Sequence, residues 1–172
     1  MKPLIRAIVD TAALRHNLDR VRITAPAARV MAVIKANAYG HGLVPAAKAL
    51  AQTDGFAVAR LEEGLALRAA GLANRILLLE GVFSTAQLAA AAQQHFDLMV
   101  HSFEQLVMLE ARAGGETVSA WIKVGTGMNR LGFRQRVHQG MASGFSGRAA
   151  VRQRRVPGRT VLLHQLRGAS LQ

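Results

Sequence analysis

Five short apolar runs recur at nearly even intervals along the first 124 residues, and this spacing constrains the fold more than any other feature of the sequence. The runs cover residues 30–37, 55–59, 76–80, 97–101 and 120–124. Each has the length and the near-continuous apolar character of a strand that is buried on both faces. Their centres lie roughly 20 to 24 residues apart, which is the length of a strand, a short loop and a helix.

The segments between these runs are predicted to be helices, over residues 43–52, 61–70, 84–94 and 102–113. Ser84 and Ser102 can cap the first free amides of two of them, and Gly71 and Gly114 stand where a left-handed residue ends a helix. A further helix over 11–22, capped by Asp10 or Thr11, follows a segment at 4–10 and breaks the period, so we expect it outside the repeat.

Alternating strands and helices with short connections predict an α/β fold with a parallel sheet. Even spacing without a nucleotide-binding fingerprint favours a TIM-type (β/α)8 barrel over an open sheet. Such a barrel typically takes about 250 residues. With five strands visible in 172 residues, we expect a partial barrel with about five of the eight strands.

Composition excludes several classes of protein. The chain is 51% hydrophobic and 19% charged, which is typical of a folded domain rather than a disordered one. It has no cysteine, which excludes disulfides, thiolate zinc sites and cysteine nucleophiles. No apolar run reaches the roughly 18 residues of a membrane span, and no signal peptide is apparent. The sequence therefore predicts a cytoplasmic protein without a membrane partner. The histidines lack metal-site spacing, so no metal is expected.

Charge divides the chain in two. Residues 134–172 hold 8 arginines and no acidic residue, whereas residues 1–133 have a net charge of only +4. The basic tail has no helical or alternating period and no interleaved aromatic residues, so we do not expect nucleic acid as its partner. We interpret 1–133 as the folded part and 134–172 as a basic, aperiodic tail that is non-native or disordered.

Lys35 is the first chemically notable residue, because it interrupts an apolar strand near the strand's carboxyl end. Catalytic groups of barrels lie at that end, and burial favours the neutral, nucleophilic amine. The alternative interpretation is a lysine without a catalytic role, whose side chain extends along the strand so that its charged amine reaches solvent at the strand end. The turn Tyr39-Gly40-His41-Gly42 can approach a phosphate closely, although glycine-rich turns are common. We interpret His41 as a structural residue that satisfies backbone groups.

The run AVIKANAYGHG at 32–42 resembles the cofactor-lysine signature of the alanine racemases, which use pyridoxal phosphate on a (β/α)8 barrel. The stretch IKVGTGMNRLGF at 122–133 is similar to the family's fifth strand and its loop. TDGFAVA at 53–59, followed by LEE at 61–63, and ILLLEG at 76–81 are similar to its second and third units. Related decarboxylase barrels share a shorter lysine motif but not the motif at 122–133. The chain is thus identified as the N-terminal part of a member of this family.

The resemblance implies a role for four residues. Lys35 would hold pyridoxal phosphate covalently and exchange the Cα proton of D-alanine, and Tyr39 would bond the phosphate. Arg130 would lie near the cofactor and the substrate carboxylate, a planar anion that suits a guanidinium. Lys123 matches a position that is carbamylated in many members, where its negative charge would orient Arg130.

The resemblance also implies missing parts. Racemisation needs a proton-transferring group on each face of the cofactor, and in this family the second is a tyrosine from the partner subunit's C-terminal β domain. This chain has one tyrosine, Tyr39. The family pattern stops just after Phe133. We therefore expect a truncated or frameshifted product that lacks the later strands and the dimerising β domain of this homodimeric family, and that is inactive alone.

The function that the resemblance implies is an isomerase that interconverts L-alanine and D-alanine with pyridoxal phosphate, supplying D-alanine for peptidoglycan. The alternative is a non-enzymatic protein that binds pyridoxal phosphate or, through its arginine tail, polyanions. Activity on another amino acid also stays open.

Overall fold

The computed structural model describes residues 7–111, 118–125, 130–134 and 160–163. A parallel sheet alternates with helices along the chain, and the predicted α/β partial barrel is confirmed. The order is α1 (Thr11–Thr24), β1 (Arg29–Val33), α2 (Lys35–Tyr39), α3 (Leu43–Ala49), β2 (Gly55–Val58), α4 (Leu61–Ala69), β3 (Arg75–Leu78), α5 (Thr85–Gln93), β4 (Asp97–Val100), α6 (Phe103–Glu110), β5 (Ala120–Ile122), β6 (Val124–Gly125), β7 (Phe133–Arg134) and β8 (Thr160–Leu163).

The strands β1 to β5 lie side by side in the order of the sequence, as consecutive strands commonly do. The spatial order is β5-β4-β3-β2-β1-β8, and every pair is parallel. Met31 is in register with Gly55, and Gly55 with Arg75. β6 and β7 form a separate two-stranded sheet. Because all the strands run the same way, their carboxyl ends share one edge, where barrel enzymes carry their active sites.

Alternate strand residues bury two separate apolar layers. One layer contains Phe56, Ile76, Leu78 and Leu98, which cluster with helix residues such as Leu67. The other is the inner face, where Met31, Val33, Ala57 and Leu77 form their own cluster. Tyr39, Leu79, Met99 and Trp121 pack against this inner cluster. Burial on both faces explains why the strands read as continuous apolar runs.

A polar cluster lies where β3 and β4 begin, at the edge opposite the carboxyl ends. Asp97 is buried, and its Oδ2 accepts hydrogen bonds from Arg75 Nε at 2.5 Å and from Trp121 Nε1 at 2.6 Å. The Arg75 guanidinium also lies 5.4 Å from the centre of the Trp121 ring. A buried carboxylate is tolerated only when such partners compensate for its lost hydration.

Most predicted caps are confirmed. Asp10 caps α1 by accepting from Ala12 N and Ala13 N, and Ser84 and Ser102 cap α5 and α6. Gly71 follows α4 with a φ of +81°. Gly114 and the predicted end of the last helix at 113 lie outside the described residues.

The structure corrects two predicted strands. The first ends at Val33 rather than at residue 37, because the backbone leaves the extended region at Ile34 and turns through α2. The fifth is broken at Lys123, where β6 separates from the large sheet to pair with β7.

The chain termini are described only in part. Residues 7–10 form no helix or strand, and residues 1–6 lie outside the described part. Of the predicted tail at 134–172, only Arg134 and the strand β8 are described, and β8 runs along β1. The division at residue 133 stays a prediction. Within the described ranges, no helix has the length and apolarity to cross a membrane.

We predict that Asp97→Ala lowers the free energy of unfolding by about 3 kcal/mol, because it leaves the Arg75 charge and the Trp121 N–H without their acceptor. Urea unfolding followed by far-ultraviolet circular dichroism measures the loss. Asp19→Ala, at an exposed position of α1, is the matched control and should change stability by about 0.5 kcal/mol or less. Equal losses in the two variants would show that the cluster contributes nothing specific.

Candidate active site

The same side-chain-to-backbone hydrogen bond occurs at three strand-to-helix junctions along the carboxyl edge of the sheet. The third residue of each following helix turns its side-chain oxygen back onto the backbone N–H that lies four residues earlier. Glu63 accepts from Ala59 N at 2.8 Å, Gln87 from Phe83 N at 2.8 Å, and Gln105 from His101 N at 2.9 Å. Each bond satisfies the amide of the residue that precedes the N-cap of its helix. They fix how the chain leaves each strand.

The first junction differs, because Lys35 opens a left-handed turn. Ala36, Asn37, Ala38 and Tyr39 have φ values of +52° to +55°. Left-handed helical backbone costs non-glycine residues roughly 1–2 kcal/mol each. We call Lys35–Tyr39 the lysine turn. Strain of this size in consecutive residues persists only where surrounding contacts impose it, and it concentrates at functional sites.

Asn37 provides much of what holds the lysine turn. Its side-chain Oδ1 accepts from Leu43 N, the first residue of α3, at 2.8 Å. Its carbonyl accepts from Gly40 N at 3.1 Å and from Gly42 N at 3.0 Å. Its own N–H donates to Glu63 Oε1 at 3.4 Å. The His41 ring Nδ1 lies 2.8 Å from Ala38 O, which confirms the structural interpretation of that histidine.

Lys35 and Tyr39 therefore belong to one turn, at the carboxyl end of β1. Both side chains are half-buried, and Tyr39 packs against the inner-face cluster. Burial raises the pKa of the Tyr39 phenol above its ordinary value. The phenol consequently remains a neutral O–H donor over a wider pH range. In the described part of the chain, the only salt bridge joins Arg75 to Asp97, so no described carboxylate pairs with the Lys35 amine.

Lys123 follows β5 at the same edge of the sheet. Its N–H donates to Val100 O at 2.9 Å, and its carbonyl accepts from Phe133 N at 2.9 Å. Gly132, at a φ of +114°, makes this approach possible, because a Cβ there would lie 2.8 Å from Lys123 O. The structure thus brings Lys123 together with the chain just after Arg130. Arg130 itself is exposed, and residues 126–129 lie outside the described part.

A second polar group at this edge surrounds Gln105 and was not predicted from the sequence. This amide is buried, and its Nε2 donates to Glu80 O at 2.9 Å. The His101 ring Nε2 lies 3.0 Å from the same carbonyl. Gly81 allows the close packing, since a Cβ there would lie 2.4 Å from Met99 O and 2.6 Å from Gln105 Nε2. This network joins the third strand-to-helix junction to the fourth.

Glu63 and Gln105 were both missed at the sequence level. Each lies three residues after the N-cap of its helix, where a Glu or Gln can complete a capping box.

A cleft of about 330 Å³ opens between the second and third junctions. Its lining includes Arg60, Glu62, Glu80, Phe83 and Gln87.

A family model, described as alanine racemase, N-terminal domain, matches residues 9–154. The chain belongs to this family. The matched range covers every described element except β8, and it continues beyond residue 133, where the motif resemblance stops.

Curated alanine racemases are similar over this part of the sequence. The chain is 52% identical over 128 residues to alanine racemase of Hamiltonella defensa, which covers 74% of this chain and 36% of that protein. It is 51% identical over 127 residues to biosynthetic alanine racemase of Escherichia coli strain K12, covering 74% of this chain and 35% of that protein. The chain thus spans about a third of the length of these curated relatives.

Solved alanine racemases share the fold as well as the sequence. The biosynthetic alanine racemase of Pseudomonas aeruginosa superposes with a TM-score of 0.78 at 39% identity, over 84% of this chain and 40% of that chain. The alanine racemase of Corynebacterium glutamicum superposes with a TM-score of 0.74 at 30% identity, over 83% of this chain and 42% of that chain. The family model thus assigns the chain to the alanine racemase N-terminal domain family, and the similar sequences and structures agree with it.

We predict that the single tyrosine of this family member titrates above its ordinary pKa of 10.0, because burial disfavours the phenolate. The phenolate absorbance against pH measures it, and the urea-unfolded chain is the control. Because the pKa is higher in the folded state, stability is full below the unfolded value and falls as pH rises through the folded value. A folded-state pKa at or below that of the unfolded chain would contradict the burial of Tyr39.

Proposed function

We propose that this chain provides the lysine-bearing half of an alanine racemase site, which interconverts L-alanine and D-alanine with pyridoxal phosphate. The observation that carries the proposal is the lysine turn. It combines an amine that forms no ion pair with a described carboxylate and a phenol in one strained segment at the carboxyl end of β1. Membership of the family and the similarity to named alanine racemases support the same function.

The residues of the turn fit pyridoxal phosphate. The cofactor needs an amine to hold it and hydrogen-bond donors for its phosphate. Lys35 can supply the first, because it is half-buried and no described carboxylate forms an ion pair with it. Tyr39 can supply a donor, because its raised pKa keeps the phenol protonated. Gly40 leaves open space beside the turn, since a Cβ there would meet no atom within 4 Å.

Lys35 has the central role in the proposed mechanism. Pyridoxal phosphate, when bound, withdraws electrons from the substrate Cα and makes its proton acidic. Lys35 Nζ would take the Cα proton of D-alanine in one direction of the reaction and would return a proton to that face in the other direction. Arg130 pairs with the substrate carboxylate through its guanidinium. Lys123, as a carbamate, orients Arg130 by its negative charge.

Inversion at Cα requires a second proton-transferring group on the opposite face. The one tyrosine of these 172 residues lies in the lysine turn, where we assign it to the phosphate. We therefore propose that the second group comes from a different polypeptide segment, supplied by a partner subunit in a homodimer. The reaction would take place in the cytoplasm, and its D-alanine would serve peptidoglycan synthesis.

We predict that adding pyridoxal phosphate to the purified chain produces an absorbance band that requires Lys35. Lys35→Ala should abolish the band, because it removes the amine that holds the cofactor. Lys48→Ala, which removes an exposed lysine of α3, is the matched control and should retain it. A band of equal strength in Lys35→Ala would contradict the assignment.

We also predict one-sided proton exchange. In deuterated water the cofactor-loaded chain should exchange the Cα proton of D-alanine, and not that of L-alanine, because Lys35 Nζ serves one face alone. Proton NMR of the Cα signal follows the exchange, and chiral chromatography follows racemisation, which should stay at background. Racemisation by the isolated chain would show that both proton-transferring groups lie within these 172 residues.

A further inference from the structure

We infer that Glu63 is a positioning residue for Lys35: its carboxylate holds the lysine turn in the left-handed conformation that presents the amine. The inference rests on the proposed function, because it assigns to Glu63 a purpose in that site. It is carried by the bonds that this side chain makes to two separate strand-to-helix junctions.

The Glu63 carboxylate accepts on both of its oxygens. Oε2 accepts from Ala59 N at 2.8 Å and from Arg60 N at 3.3 Å, which anchors it to the end of β2 and the start of α4. Oε1 accepts from Asn37 N at 3.4 Å, in the middle of the lysine turn. The carboxylate thus connects a rigid junction to a strained one. An ionised acceptor strengthens each of these bonds relative to a neutral one.

The other two junctions show why this position needs an acid. Gln87 and Gln105 occupy the equivalent place in α5 and α6, and each uses one oxygen to accept a backbone N–H. Gln105 then uses its amide nitrogen as a donor, to Glu80 O. At residue 63 the second partner is the Asn37 N–H, which is itself a donor. A carboxylate can accept there, whereas a glutamine amide nitrogen would face it donor to donor.

The lysine turn needs such an outside contact. Ala36, Ala38 and Tyr39 have no intrinsic preference for positive φ, so their sequence does not favour the conformation that they adopt. The local bond at 2.8 Å from Ala38 N to Ile34 O, just before the turn, does not by itself select the hand of the turn. The bond from Asn37 N to Glu63 comes from a different element, α4. It forms only when the Asn37 N–H points towards that helix.

The first test uses the cofactor-free chain. Glu63→Gln should raise the hydrogen-exchange rate of the amides of residues 36–39 by about tenfold, because the restraint on the turn is lost. Glu62→Gln removes the same charge one residue away, at an exposed position, and is the matched control. Unchanged exchange in the lysine turn of Glu63→Gln would overturn the inference, whether or not the chain binds cofactor.

The second test measures cofactor affinity from the Lys35-dependent absorbance band. Glu63→Gln should weaken binding of pyridoxal phosphate by about tenfold, the factor that corresponds to about 1.4 kcal/mol. Adding Ala36→Gly should recover at least about threefold of that loss, because glycine adopts positive φ without the steric cost. Ala36 is exposed, so its replacement removes no packing.

The rescue separates positioning from simple capping of α4. If Glu63 mattered only for the N–H groups of Ala59 and Arg60, a glycine in the lysine turn would restore nothing, and that result would overturn the inference. Wild-type affinity in Glu63→Gln would overturn it too. If the wild-type chain shows no Lys35-dependent band, the proposed function fails, and the exchange measurement still decides the role of Glu63.

Discussion

Each helix that follows a strand begins with backbone N–H groups that have no acceptor inside the helix, and the carboxyl edge of the sheet depends on satisfying them. Glu63, Gln87 and Gln105 extend this capping by one residue at three successive junctions, where each accepts from the N–H of the residue before the N-cap. Two of these side chains also reach to a neighbouring junction, Glu63 to the lysine turn and Gln105 to Glu80. Glu63 and Gln105 therefore cap their own junctions and also connect neighbouring junctions along the edge.

The two ends of the inner face have different tasks. Where β3 and β4 begin, Asp97 Oδ2 accepts hydrogen bonds from both Arg75 and Trp121. At the carboxyl end, Lys35 forms no ion pair with a described carboxylate. The polar groups at one end are paired with one another, whereas the amine at the other end is the group to which we assign chemistry.

Much of the fold could be predicted from sequence, because it depends on local signals. Apolar runs at even spacing predicted five parallel strands, and Ser84, Ser102 and Asp10 marked helix starts that the structure confirms. The lysine turn could not be predicted in this way. Ala36, Ala38 and Tyr39 have no preference for positive φ, and one of the bonds to the turn comes from Glu63, 26 residues beyond Asn37. For the same reason the first strand was predicted too long. The roles of Lys35, Tyr39, Lys123 and Arg130 came from family resemblance and stay predictions.

The central claim is that the lysine turn makes one amine the cofactor's attachment point. The chain has four lysines, at positions 2, 35, 48 and 123, so the claim can be tested by position. Incubation with pyridoxal phosphate, borohydride reduction and peptide mass mapping would locate the attached cofactor. The account predicts attachment at Lys35 at substoichiometric cofactor, with the other three lysines unmodified. Attachment spread evenly over the four lysines, or concentrated at Lys123, would contradict it.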